Sequence, residues 1–251
     1  MAVSLPAHAV IVSAVSYLSK RTNRLIGQAM HRYRMLADGD NILIAVSGGI
    51  DSLVLAAILQ YWRKKAPIDY QLTAVHLDMG FSPENTTRIQ NQLDHLGLDY
   101  FIKQVSFADI PEKVGKGCCF ACARKRRNHL FKLAEKKKFS KLALGHHKED
   151  IIETFFLNML YSGNLSTMVP RQDLFGGRLS IIRPLALLDK KQILETGERL
   201  RLSAVTHSCP REHLSKREKI RSLLRHLYGS DPQIKANIFT ALSNIRKEYL
   251  P

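Results

Sequence analysis

The stretch NILIAVSGGIDSLVLAAIL, residues 41–59, constrains the chain more than any other. An apolar run of strand length stops at Ser47-Gly48-Gly49, and a helical apolar pattern resumes directly after Asp51 and Ser52. Adjacent glycines weaken either element they touch, so the backbone there must come close to something. A strand that feeds a helix N-terminus through glycine-rich backbone makes an anion site, because open N–H groups and the helix dipole both point at the bound charge. Gly48 and Gly49 let the main chain wrap a phosphate, Ser47 and Ser52 add hydroxyl donors, and Asp51 stands where a carboxylate could hold a metal bound to that phosphate. The loop is neither G-x-x-x-x-G-K-[ST] nor G-x-G-x-x-G.

Strand-length apolar runs alternate with longer stretches of helical period, which predicts an α/β fold built on a mostly parallel sheet. Five strands are expected, at NILIAV, QLTAVHLD, DYFIKQVS, KLALGH and LSIIRPL. Helices are expected over roughly 51–65, 85–97, 120–137 and 148–162. A basic amphipathic helix over 18–37 precedes them and stops at the turn signal DGDN. After Pro184 the pattern becomes helical and basic: DKKQILETGERLRL, then two more helices broken at Gly229-Ser230-Asp231-Pro232. The expected division is a helical segment over 1–40, an α/β domain over 41–188 and a helical region over 189–251.

Lysine and arginine number 38 against 22 acidic residues, a formal charge of +16 over 251 residues, which exceeds what solubility needs and points to a polyanion such as nucleic acid. No run reaches the ~18 apolar residues of a membrane span, and AVIVSAVSYL near the N-terminus lacks a preceding Lys or Arg, so a cytoplasmic protein is expected.

A second strand-to-helix edge lies in ALGHHKEDIIETFFLNMLYSG, residues 143–163. It gathers Gly145, His146, His147, Glu149 and Asp150 at the C-terminal end of a strand, where open α/β sheets bind ligands. Either acid alone reads as a helix cap; paired with the first turn, Asp150 becomes an active-site carboxylate. Four cysteines remain, Cys118, Cys119, Cys122 and Cys209. The Cys119-x-x-Cys122 pair at a helix start suits a redox couple, half of a zinc site, or thiolate ligation of a cluster with Cys209, and spacing alone does not choose among them.

The six residues Ser47-Gly48-Gly49-Ile50-Asp51-Ser52 match the S-G-G-x-D-S signature of the PP-loop ATP pyrophosphatases. With the cysteine pair and its basic helix, LALGHHKEDIIETFFLNMLYSG, IIRPL and Cys209, the chain resembles the tRNA-cytidine 2-sulfurtransferases over roughly residues 20–247. That resemblance implies an adenine-nucleotide α-hydrolase fold, ATP with Mg2+, a [4Fe–4S] cluster on Cys119, Cys122 and Cys209, and tRNA as substrate. It further implies that Ser47, Gly48, Gly49 and Ser52 hold the pyrophosphate side, that Asp51 positions magnesium, and that Asp150 and Arg126 lie near the reacting groups. Ala45, Val46, His76, Leu77 and Gly145 would wall the nucleotide, and Arg124, Lys125 and Arg127 would meet RNA. Sulfur would come from a cysteine desulfurase or inorganic sulfide, and a homodimer is compatible with the apolar N-terminal segment.

The chain also departs from this pattern. Ile50 stands where the branch usually has Lys, Glu149 where Asp is usual, Thr206 where many relatives have Cys, and Cys118 has no assigned task. The rival expectations are a lysidine synthetase, which adenylates a tRNA cytosine without a cluster, and a 2-thiouridine synthetase, disfavoured because zinc-ribbon cysteines are missing. A small-molecule amidating synthetase and a zinc-bearing nucleic-acid-binding module are the others.

Overall fold

The computed structural model describes residues 18–80, 82–105, 118–205 and 216–249, with the side chains of 118–121 and 247 outside that description. A six-stranded sheet forms its centre, in the order β3-β2-β1-β4-β6-β5. Its strands are β1 (Asp40–Ala45), β2 (Tyr70–Asp78), β3 (Tyr100–Gln104), β4 (Lys141–Ala143), β5 (Arg171–Leu174) and β6 (Leu179–Ile182). All five expected strands are present. The sheet adds β5, which pairs antiparallel with β6 at the edge. RQDL is short and polar, so it lacks the apolar run that marks the other strands; Phe175, Gly176 and Gly177, all at positive φ, make the tight return into β6.

The described helices are α1 (Lys20–Arg32), α2 (Ile50–Arg63), α3 (Pro83–His95), α4 (Cys118–Lys136), α5 (Lys148–Ser162), α6 (Lys190–Arg199), α7 (Lys216–Ser230) and α8 (Gln233–Ala241). Each matches an expected segment, with α1 ending short of the expected bound. α2 is apolar on every side, as a helix enclosed by the core must be: Leu53 to Leu59 are all buried. It packs with β1, α1, α3 and α6 in one cluster that includes Ile26, Met30, Ile42, Ile89, Leu93 and Ile193, so the core runs across the boundaries expected near 40 and 188. Leu130 and Ala134 of α4 cover the opposite face against Leu43, Val75 and Leu142. A third cluster joins α5 to α7 through Ile152, Ile220 and Leu224.

β1 pairs in parallel with β2 on one side and β4 on the other. The chain therefore leaves β1 and β4 in opposite directions along the sheet, and the crevice at their C-terminal ends is the place where such folds bind ligands. No helix among the described residues is long and apolar enough to cross a membrane.

Candidate active site

The turn after β1 is closed by its own short side chains. The Ser47 N–H donates to Ser52 Oγ at 3.1 Å, the Gly49 N–H to Ser47 Oγ at 3.3 Å, and the Ser52 hydroxyl to the Gly49 carbonyl at 2.8 Å. Ser52 is buried, so its one proton must find an acceptor inside the protein, and it helps to shape the loop. Gly48 adopts φ 90, the left-handed region that favours glycine. Gly49 precedes α2 without a side-chain cap, which leaves the start of that helix open to an anion.

Gly145 brings the second turn against the first. A Cβ there would lie 3.0 Å from the Asp51 carbonyl carbon and 3.1 Å from the Ser52 nitrogen, both backbone atoms that cannot step aside. The Val205 N–H, from the segment after α6, closes onto the Gly48 carbonyl at 2.9 Å.

His147 sits where the two turns meet and is buried. Its Nδ1 lies 2.9 Å from Glu149 Oε2, and its Nε2 lies 3.4 Å from Asp150 Oδ2 and 3.9 Å from Asp51 Oδ2. Burial opposes a charged imidazole, but the Glu149 bond and the carboxylates of Asp150 and Asp51 outweigh it and raise its pKa. Asp150 also caps α5, accepting from the His147 N–H at 3.0 Å, so the capping role and the site role coincide in one side chain.

Cations from the C-terminal third complete the site. Lys190, the first residue of α6, pairs its ammonium with Asp51 Oδ1, and its N–H donates to both Glu149 oxygens at 3.1 Å. Lys235 of α8 reaches Glu149 Oε1 at 2.7 Å. Burial would raise the Glu149 pKa, but the bonds from His147, Lys235 and the Lys190 backbone bring it down to about 2. Sequence reasoning missed Lys190 and Lys235. The Asp189-Lys190 start of α6 was legible as a helix start, but nothing local linked it to Asp51.

The remaining expected residues fall as follows. Ser47, His76, Leu77 and Arg126 line one cleft, with Asp78, Met79 and Ser82. Val46 is buried, with its N–H on the Val75 carbonyl at 2.9 Å and its carbonyl 2.8 Å from His76 Nδ1, and Ala45 before it is partly buried. Arg124 and Arg127 are exposed on α4, and Lys125 is half-buried. Cys119 and Cys122 lie one helical turn apart on α4, and Cys122 is half-buried. Cys209 lies outside the described residues, as does Thr206. The backbone of α4 sets Cys119 and Cys122 one turn apart at the start of a helix, a spacing that suits a thiolate-ligated centre.

A parallel sheet with a glycine-rich anion turn, an adjacent carboxylate pair and a cation poised on one of them defines a nucleotide-phosphate-binding α/β enzyme. A family model described as a PP-loop domain matches residues 18–227. The chain is 38% identical over 240 residues to the tRNA-cytidine(32) 2-sulfurtransferase of Alkalilimnicola ehrlichii, covering 93% of this chain and 76% of that protein. It is 34% identical over 236 residues to the protein of that name from Geobacter sulfurreducens, covering 92% of each. The chain belongs to the PP-loop family and, within it, to the tRNA-cytidine(32) 2-sulfurtransferase family of enzymes. In fold it is similar to the U34-tRNA thiolase NcsA from Methanococcus maripaludis with its [4Fe-4S] cluster, at TM-score 0.72 and 23% identity over 91% of this chain and 79% of that one. A more distant likeness, TM-score 0.51 at 17% identity, is to NAD+ synthetase from Burkholderia pseudomallei, covering 94% of this chain and 93% of that one.

Proposed function

We propose that the protein is an ATP-dependent tRNA thiolase that converts a cytidine of the anticodon loop to 2-thiocytidine. The observation that carries this reading is the position of Arg126: one turn beyond Cys122 on α4, it lines the same cleft as Ser47 and His76. The helix that bears the cysteine pair is thereby held against the nucleotide turn.

A C2 carbonyl oxygen is a poor leaving group. In the proposed reaction that oxygen attacks the α-phosphorus of ATP and pyrophosphate departs; sulfur then adds at C2 and AMP leaves with the original oxygen. The open backbone at Gly48 and Gly49 and the start of α2 bind the departing phosphates; Asp51 would hold magnesium, which would offset charge on the phosphates, and Asp150 lies near the α-phosphate. Lys190 neutralises Asp51 until nucleotide arrives and then turns to the phosphates. Arg126 meets negative charge as it builds at the α-phosphate. Cys119, Cys122 and Cys209 would hold a [4Fe–4S] cluster, which when bound would supply an iron without a protein thiolate for sulfur to occupy. A cysteine desulfurase or inorganic sulfide supplies the sulfur, and the chain acts alone or as a homodimer.

The test uses anaerobically purified protein with ATP, Mg2+, sulfide and an unmodified tRNA transcript, followed by nucleoside mass spectrometry. The expected result is 2-thiocytidine with one AMP released per base modified, lost in Asp51→Ala while the circular dichroism spectrum is unchanged. Incorporation of lysine by colourless protein would replace the reading with lysidine synthesis.

A further inference from the structure

Arg183 follows β6 and is only 5% exposed. Its Nε donates to His146 Nδ1 at 3.2 Å and its Nη1 to the Val169 carbonyl at 2.5 Å, and neither acceptor carries charge. Among the described residues no carboxylate pairs with it. Burial lowers its pKa to about 10, and the neighbouring Arg127 adds to that. A buried guanidinium without a counter-ion is strongly unfavourable, and a second cation nearby makes it more so.

Two further arginines act electrostatically on the same imidazole. Arg127 comes from α4, and Arg217 from the start of α7. Arg217 is partly matched, with Asp150 Oδ1 and Glu153 Oε2 each at 3.8 Å, although Glu153 is already held by Arg221 at 2.8 Å. Burial and the arginines, opposed by Asp150, bring His146 down to about 4, so the ring is neutral near pH 7. Because Nδ1 accepts from Arg183, the ring proton is on Nε2 and adds another donor.

Three elements far apart in sequence thus bring positive charge to the surroundings of His146, just after β4 at the sheet edge. This point adjoins the nucleotide site through Arg217, which pairs with Asp150, but its floor lies further along the sheet. The cleft lined by Ser47 and His76 lies at the β1–β2 end, whereas Arg183 follows β6, two strands beyond β1 on the other side. At the usual strand spacing that separation is roughly 10 Å.

We propose that the basin around His146, floored by Arg183 and rimmed by Arg127 and Arg217, binds a single phosphodiester of the substrate RNA. The proposal rests on the tRNA reading above and extends it to a second anion site. A diester carries one negative charge and two free oxygens, which suits a fork of guanidinium donors better than the glycine turn does.

The test compares Arg183→Met and Arg127→Ala in the full chain. An unmodified tRNA transcript is titrated at several salt concentrations, ATP is titrated separately, and thermal unfolding is followed without ligand. Each variant should bind the transcript about tenfold more weakly, with the slope of log affinity against log salt reduced by about one. ATP affinity should stay within twofold. Arg183→Met should unfold at or above the wild-type temperature, because a cation without a partner has been removed.

A lowered unfolding temperature with unchanged RNA binding would make Arg183 a structural anchor and overturn the proposal. Weakened ATP binding with unchanged RNA binding would assign the phosphate to the nucleotide and overturn it equally. Should Arg183→Met fail to fold, Arg127→Ala, whose side chain is exposed, decides alone. Wild-type protein that binds the transcript but never thiolates it would sink the thiolase reading and leave this site standing; variants that bind like wild type would do the reverse.

Discussion

The turn at Ser47–Ser52 and the turn at His146–Asp150 are neighbours at one sheet edge, yet different forces hold them. The first is closed within six residues by hydroxyls and backbone, and it is backed by α2, the most enclosed helix among the described residues. The second is held by charge across the fold: the Lys190 N–H, 41 positions away, and the Lys235 ammonium, 86 positions away, both meet Glu149, and the Lys190 ammonium ties this side to Asp51 of the first turn. One turn has a shape set before any ligand arrives. The other has partners that can be exchanged when a phosphate or a metal enters.

Gly145 is where the two meet, and substituting it should have the largest effect. Gly145→Ala would drive a methyl into the backbone of Asp51 and Ser52, at 3.0 and 3.1 Å, where no rotamer change relieves it. A loss of about 2–3 kcal/mol in stability is expected from guanidinium unfolding. ATP binding should fall with it, because the cradle is forced open. Wild-type stability with wild-type binding would mean that the turns are not rigidly apposed.

Glu149→Gln probes the charged side alone. It leaves the cradle untouched but removes the anion shared by His147, Lys235 and the Lys190 N–H. About 2 kcal/mol should be lost near pH 7. The folded-state pKa of Glu149 is depressed to about 2 from an ordinary value of 4.5, so its contribution is complete above pH 4.5 and fades as pH falls toward 2. The gap between wild type and variant should therefore close over that window in urea unfolding measured at stepped pH. A gap that stays constant would show that the carboxylate charge is not what stabilises this turn.

Lys190→Met separates holding from binding. The Lys190 side chain is 39% exposed, so its pairing with Asp51 adds little to stability and unfolding should hardly change. ATP affinity should drop about tenfold by calorimetry if Lys190 turns from Asp51 to the phosphates. Unchanged affinity would confine Lys190 to steadying Asp51.

This contrast also explains what the sequence made legible. S-G-G-x-D-S could be read because the Ser47, Gly48, Gly49 and Ser52 interactions are local, and the glycines exist to satisfy a nearby backbone geometry. The burial of α2 could be read from its continuous apolar pattern. Lys190, Lys235 and Arg183 could not be singled out, because a lysine at a helix start or an arginine after a strand has the same local pattern whether or not a carboxylate faces it. The β5 return was in principle visible in Phe175-Gly176-Gly177, a turn signal set between two short runs. It was missed because RQDL carries no apolar pattern of its own, as suits an edge strand.

The smallest effect is expected where α6 rests on α2, and it tests how firmly the charged side is fixed to the rigid one. A Cβ at Gly197 would lie 2.6 Å from Ile50 Cδ1, 2.9 Å from Ile50 Cγ1 and 3.5 Å from Val54 Cγ2. Here the obstacle is the end of a flexible side chain, so the clash can be relieved by a rotamer change. The helix gains about 1 kcal/mol from alanine in place of glycine, which offsets much of the overpacking. Gly197→Ala alone should therefore destabilise by no more than about 1 kcal/mol. Ile50→Val removes the Cδ1 methyl, and in that background Gly197→Ala should become neutral or stabilising, a coupling of about 1 kcal/mol in a double-mutant cycle. Strict additivity would mean that Ile50 does not set the seat of α6. Coupling would mean that the residue inside the S-G-G-x-D-S turn sets the height at which α6 presents Lys190 to Asp51, so that the cradle positions its own cation through an apolar contact.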